Sequence, residues 1–264
     1  MHKRLFFGME VKAPWPDALP YGRLLDAHHR HLTLAFLGDT DYPKMQEALL
    51  SFPQLPFKVG FVAQFDQCLF LPPKHPRVVA WHVQWLEKST EIVTFCATLI
   101  RWLQAKGFSP DRRHELMPHV TLARAPFNEK IWSKKFSPLP LLVQDIRLYE
   151  SVGNLNYTSL WSYSLLPPFE EIEHMADIAY IVRGETFDQL FQHAALALAF
   201  NFPSLLTYLQ IKEGFVHLED VIIELNHLVA RVDQEIGCPF KAVSFHSLLE
   251  NKDTIMHWEM IVDV

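Results

Sequence analysis

Two short echoes constrain this chain more than anything else in it: His31-Leu32-Thr33-Leu34 and His119-Val120-Thr121-Leu122. Each reads His-x-Thr-x inside an apolar, alternating run. In a β-strand, residues i and i+2 share a face. The His and Thr of each copy therefore point the same way. Two such strands side by side would gather two imidazoles and two hydroxyls around one small cavity. Histidine titrates near neutral pH, so one imidazole can be neutral while the other is charged. Such a set can move protons on either side of a phosphate, with the threonine hydroxyls donating to its non-bridging oxygens. That chemistry requires no metal. A lone His in a strand is more often a structural residue, and among 14 histidines chance matches to His-x-Thr are expected. The duplication shifts the weight. Both copies continue Leu-Ala, both follow polar, turn-prone sequence, and a repeated half-motif argues for an internal repeat.

At 264 residues, with 49% hydrophobic and 20% charged residues, the chain has the length and composition of a globular protein of one large or two ordinary domains. Its apolar runs fall short of the roughly 18 residues of a membrane helix, and the opening Leu5-Phe6-Phe7 is too brief for a signal peptide. No membrane partner is expected. Cys68, Cys96 and Cys238 are scattered, with no metal-type spacing and no even disulfide set, which fits a reducing, cytoplasmic setting. No close His/Cys cluster in the sequence supports zinc.

The net charge of −6 is unevenly spread. Residues 1–168 carry 19 Lys and Arg against 14 Asp and Glu, whereas residues 169–264 carry 5 against 16. The asymmetry suggests two domains with different partners. A mildly basic part suits a polyanion such as RNA, and an acidic part suits divalent cations or a basic protein surface. Leu165-Leu166-Pro167-Pro168 is the expected seam, because two prolines end a regular element and stiffen a linker.

Before the seam, strands are expected at 4–11, 31–37, 57–64, 67–71, 77–83, 119–123, 143–151 and 159–165. Helices are expected at 42–52 and 90–106, the second on the spacing of Ile92, Phe95, Leu99, Trp102 and Leu103 and the stop at Gly107. Pro14, Pro16 and Pro20 exclude a regular helix between Val11 and His31. Phe6, Phe7, Phe36 and Trp81 read as core. His28, His29 and Arg30 read as a solvated loop. After the seam, strand or loop is expected at 171–182, helices at 186–200 (capped by Thr186) and 220–234, and strands at 240–248 and 257–264.

Residues 1–166 resemble the two-histidine phosphoesterase superfamily, and within it the RNA 2′,3′-cyclic phosphodiesterases, also known as 2′-5′ RNA ligases. The resemblance lies in Arg4-Leu5-Phe6-Phe7, in His31 through Gly38, and in Pro118 through Arg124. Leu148 through Ser151 and Tyr157 through Leu160 are similar to that family's closing strands. Residues 169–264 resemble a shortened archease: Glu173 through Ile178 its opening motif, Gly184 through Ala199 its first helix, and Lys241 through His246 with Glu259 through Val264 its closing strands.

The resemblances imply an α+β protein. Two αβ lobes related by a pseudo-twofold axis surround a central cleft, and a smaller α+β domain follows. They imply hydrolysis of RNA 2′,3′-cyclic phosphate ends to 2′-phosphate ends. His31 would be the proton donor and His119 the proton acceptor, an order that comes from the family and not from the residues. Thr33 and Thr121 would bind phosphate. Arg124, three residues past Thr121, falls on the opposite strand face if the strand continues regularly, so its phosphate role is the weakest. The archease resemblance implies a calcium or magnesium ion held by Asp177, Asp263 and the Val264 backbone, carboxylate oxygen suiting a hard cation. It also implies a GTP-dependent RNA-splicing ligase as partner. Two rivals stand beside this reading: a phosphodiesterase acting on a small cyclic nucleotide, and a non-catalytic adaptor that binds RNA ends or a ligase.

Overall fold

The computed structural model describes residues 1–87, 89–111, 117–174, 177–246 and 248–264. Its first part contains β1 (His2–Lys12), β2 (Arg23–Leu24), β3 (His31–Asp41), α1 (Tyr42–Leu49), β4 (Phe61–Leu71), β5 (Val78–Trp85), α2 (Ser89–Ala105), β6 (His119–Arg124), α3 (Glu129–Lys135), β7 (Leu139–Gly153) and β8 (Asn156–Ser164). Its second part contains β9 (Phe169–Ile172), β10 (Ile178–Gly184), α4 (Phe187–Asn201), α5 (Leu218–Ile236), β11 (Ala242–Val243), β12 (Leu249–Lys252) and β13 (Ile255–Asp263). The α+β class read from the sequence is what is found.

Strands of the first part follow the order β1-β3-β6-β5-β4-β7-β8, and β1 also pairs with β7. The sheet thereby closes on itself, barrel-like, with β8 extending it along β7. One join in the ring is thin: β3 and β6 meet in the single antiparallel pair Leu32–Val120. The two halves match register for register. In β1/β3, Phe7 opposes Ala35 and Gly8 opposes Thr33, leaving Leu34 as an extra, bulged residue. In β5/β6, Val79 opposes Ala123 and Ala80 opposes Thr121, leaving Leu122 in the same position. The internal repeat suggested by the motifs is thus a structural one.

Helix α2 buries Ile92, Phe95, Cys96, Leu99 and Leu103, one stripe at helical spacing, into a core shared with Phe7, Leu34, Trp81 and Leu122. The polar break at Asp66, which suggests two strands, is instead a bulge between Phe65 and Gln67 inside the continuous β4. Residues 57–60, expected as strand, lie outside regular structure. They are tied to the seam by Val59 against Leu166 and by the Gly60 N–H donating to the Leu166 carbonyl.

In the second part, β11-β13-β10-β9 form an antiparallel sheet, with β12 added on β13. The expected strand at 240–248 shrinks to two residues at 242–243, and β12 forms a hairpin with β13. Helix α4 is buried on every side from Leu190 through Ala199, an Ala-rich segment whose polar residues, Gln192 and His193, are buried with it. It is capped by Thr186, whose hydroxyl accepts from the Gln189 N–H at 3.2 Å. One face meets β10 and α5; another meets β4 and β7 of the first part, so Val62 and Leu142 belong to the second core. A buried pin crosses the same boundary. Glu87 accepts from the Val62 N–H and pairs with the fully buried His193, whose other ring nitrogen bonds the Arg183 carbonyl. Among the described residues, no helix is long and apolar enough to cross a membrane.

Candidate active site

The Leu32–Val120 pair fixes the site. Both side chains are buried in the core, at 1% and 0% exposure. Alternation therefore turns His31, Thr33, His119 and Thr121 to the opposite face, where all are partly exposed. Continuing the register by one residue each way sets His31 across from Thr121, and Thr33 across from His119. Two imidazoles and two hydroxyls thus surround the pseudo-twofold axis, as the paired motifs predict.

Both imidazoles are oriented in the same manner. His31 Nδ1 bonds the His29 carbonyl at 2.7 Å, and His119 Nδ1 bonds the Met117 carbonyl at 2.8 Å. A carbonyl only accepts, so each Nδ1 carries the hydrogen and each Nε2 is left for a ligand. The 3₁₀ turn at Ala27–His29 delivers the first of these carbonyls.

Beyond this shared geometry the two sides differ. His31 lies against Phe6 and Tyr157, ring centroids 4.7 Å away in each case, and against Tyr149 at 5.3 Å. This burial pushes the His31 pKa down to about 4; the bond to His29 opposes the shift, and the nearby His119 and His29 add to it. His31 is consequently neutral in the ligand-free protein at pH 7. The aromatic wall continues outward to Phe36, stacked on Phe6 at 5.9 Å and 37% exposed. Phe7 and Trp81 are core residues as expected. Phe6 is likewise buried, at 1% exposure, with its ring against His31; Phe36 is not core and lines the cleft.

The bulge that moves Phe36 also corrects the expectation for Arg124. A regular strand would turn Arg124 away from Thr121. With Leu122 bulged out, Arg124 pairs with Val78 and Thr121 with Ala80, and those partners share one face of β5. Arg124 therefore returns to the face of His119 and Thr121, in the position that Phe36 occupies in the other half. Its Nε is buried and has no hydrogen-bond partner among the described residues. Arg23, opposite Arg124 across the other edge of β6, adds a second cation on that wall.

Sequence reasoning missed the groups that flank the histidines. Opposite His31 on β1 stands Glu10, joined to Arg147 at 2.6 Å; Arg147 also meets Asp145 at 3.1 Å, and Asp145 accepts from the Ser164 hydroxyl. Burial raises the Glu10 pKa, whereas the hydrogen bonds from Ser164 and Arg147 outweigh burial and lower that of Asp145. Opposite His119 on β5 stands His82, bonded to Asp66 at 2.6 Å. Both face their histidine from a neighbouring strand, so alternation along the motifs alone does not reach them.

Arg30 is not the solvated residue expected. It is buried, packs over the Trp15 ring at 4.4 Å and donates to the Leu25 carbonyl. Asp26, His28 and His29 bring ligand-type atoms within 4.8 Å of one another, a close His cluster that the sequence spacing did not reveal. The Arg30 guanidinium already acts on Asp26 there.

In the second part, Asp177 immediately precedes β10 and Asp263 ends β13. The pairing of Ile178 with Val262 brings them to one end of the sheet. Met175 and Ala176 of the expected motif lie outside the described residues. The oxygen assigned to Val264 already accepts from the Lys241 ammonium, and His174 Nδ1 lies 3.9 Å from Asp177. The Lys241 ammonium thus already takes one of the oxygens that such an ion would use, and the four carboxylate oxygens of Asp177 and Asp263 are the rest of the set.

No family model matches the chain, and no curated protein does. Solved structures similar to it include E. coli LigT complexed with 3′-AMP, 22% identical over 62% of this chain and 99% of that one, with a TM-score of 0.45. A structure described as a phosphoesterase is 23% identical over 63% and 99%, with a TM-score of 0.45. TT0787 of Thermus thermophilus is 21% identical over 61% and 97%, with a TM-score of 0.46.

Proposed function

We propose that the cleft hydrolyses the 2′,3′-cyclic phosphate at an RNA end to a 2′-phosphate. The observation that carries this reading is the pair of oriented imidazoles, each with Nδ1 on a carbonyl and, among the described residues, no hydrogen bond at Nε2, set about the Leu32–Val120 seam. The phosphate lies over the seam with its non-bridging oxygens on the Thr33 and Thr121 hydroxyls, and Arg124 supplies a charge-assisted bond. The water oxygen bonds to phosphorus while its proton passes to His119 Nε2. The P–O3′ bond breaks, and O3′ takes a proton from His31 Nε2.

The asymmetry of the walls supports that order. The rings around His31 suit the nucleoside, whose O3′ departs, and the open side at His119 suits water. His31, neutral in the empty cleft, takes up its proton with the anionic substrate, since a nearby negative charge favours imidazolium. No step calls for a metal. The acidic second part is read as a shortened archease-like accessory to a GTP-dependent RNA-splicing ligase, in a reducing cytoplasm.

The test is a short RNA ending in 2′,3′-cyclic phosphate, incubated with the purified protein in EDTA. The expected product is a 2′-phosphate end, with His31→Ala and His119→Ala each slowing turnover by about 10²–10⁴. Absence of product from the unmodified protein would overturn the reading. Rapid opening of a small cyclic nucleotide alone, without salt dependence, would move it to that substrate class.

A further inference from the structure

On the side away from the β3/β6 join, each motif histidine has a cleft-facing neighbour directly opposite it on the adjoining strand: Glu10 for His31, and His82 for His119. Side chains so placed have Cβ atoms about 4.5–5.5 Å apart. His82 is held in orientation. Its Nδ1 bonds Asp66 at 2.6 Å, and Asp66 is the extra residue that the β4 bulge pushes out of register between Phe65 and Gln67. A carboxylate accepts, so Nδ1 carries the hydrogen and Nε2 offers a lone pair. His82 and Asp66 remain 29% and 35% exposed, so water reaches this flank. On the other flank the His31 ring is walled by Phe6, Tyr149 and Tyr157. Among the described residues no aromatic ring lies against His119.

We propose that His82, oriented by Asp66, positions the attacking water for His119. The inference rests on the phosphodiesterase reading above. Water donates two hydrogen bonds. One proton goes to His119 Nε2 as the oxygen bonds to phosphorus; the other hydrogen is held by His82 Nε2, which exchanges no proton with the substrate. His82 is thus a positioning residue. The bulge at Asp66 has a matching purpose: it re-aims a carboxylate toward an imidazole two strands from the seam.

A nucleophile with a single O–H separates this role from a structural one. Methanol can satisfy His119 or His82 but not both, so the unmodified protein should favour water over methanol when both are supplied with the cyclic-phosphate RNA. The products, a 2′-phosphate and a 2′-methylphosphate diester, are counted in one reaction, so their ratio is independent of how much protein is folded. In His82→Leu and in Asp66→Asn the methanol-to-water ratio should rise severalfold, with kcat for hydrolysis down about tenfold, the worth of one hydrogen bond, and KM little changed. An unchanged ratio in both variants, whatever their rate, would overturn the positioning role and leave the phosphodiesterase reading intact. Absence of both products from the unmodified protein would overturn that reading, and the inference with it.

Discussion

His31 carries the most informative single property in the molecule, a histidine driven down to about 4 by the rings around it. Its ordinary value of 6.5 holds in the unfolded chain, so between these values the unfolded state binds the proton and the folded state does not. Stability from this residue is complete above about 6.5, falls as pH drops toward 4, and changes no further below that. His31→Ala should therefore flatten the acid side of the stability profile. Urea unfolding at pH 7 and at pH 5 would show a smaller loss for the variant than for the unmodified protein; equal losses would contradict the burial of His31. At the same scale, Arg124→Gln removes a cation whose Nε lacks a protein partner among the described residues and which the bulge turns to the face of Thr121, where the proposed phosphate would lie. Its expected effect is a rise in KM of about tenfold or more, with the folded state little changed. Thr33→Val and Thr121→Val should each lower kcat if, as proposed, their hydroxyls serve the charge held through the transition state.

At the scale of elements, what was legible and what was not divides at the bulges. The motif strands, α2, α4 and the Pro-Pro seam follow from alternation, helical spacing and proline, which are local properties. Phe36 and Arg124 were placed on the wrong face or in the wrong environment because strict period-two alternation fails after Leu34 and Leu122. The signal was present, since Leu34-Ala35 and Leu122-Ala123 are consecutive small-to-medium apolar residues in both copies, where alternation asks for a polar one. Asp66 misled in the same way, looking like a strand break. His82 and Glu10 were invisible because their relevance depends on which strands are neighbours, and that is set by ring closure. Gly8 tests the bulge. A Cβ there would meet the Leu32 carbonyl oxygen at 2.9 Å, backbone that cannot swing aside. Gly8→Ala should cost about 1–3 kcal/mol by overpacking. By pushing on Leu32 it should also lower turnover more than the stability loss explains, read as kcat at a temperature where the variant is fully folded.

At the scale of the whole molecule, the two parts are joined more tightly than a Pro-Pro linker implies. Helix α4 is buried between the second sheet and the strands β4 and β7 of the barrel, and the Glu87–His193 pair lies in that boundary, His193 at 0% and Glu87 at 8% exposure. Burying charged or polar partners is costly, and removing one member of a buried pair costs more than the pair itself contributes. His193→Leu should therefore destabilise by about 3–5 kcal/mol, because it strips the imidazole from the Glu87 carboxylate in the interior. Glu87→Gln should cost less, since an amide oxygen can still accept from the Val62 N–H. The pair binds the Val62 N–H and the Arg183 carbonyl rather than a motif histidine, so kcat should be unchanged in either variant at temperatures where it is folded. Because Val62 and Leu142 of the barrel sit in the second core, both variants should unfold with barrel and second sheet moving together. Tryptophan fluorescence and far-UV circular dichroism in urea would read this as coincident transitions shifted to lower midpoints. Separate transitions in the unmodified protein would show that the second part is an independently folding attachment, leaving the buried pair without the coupling role that its position gives it.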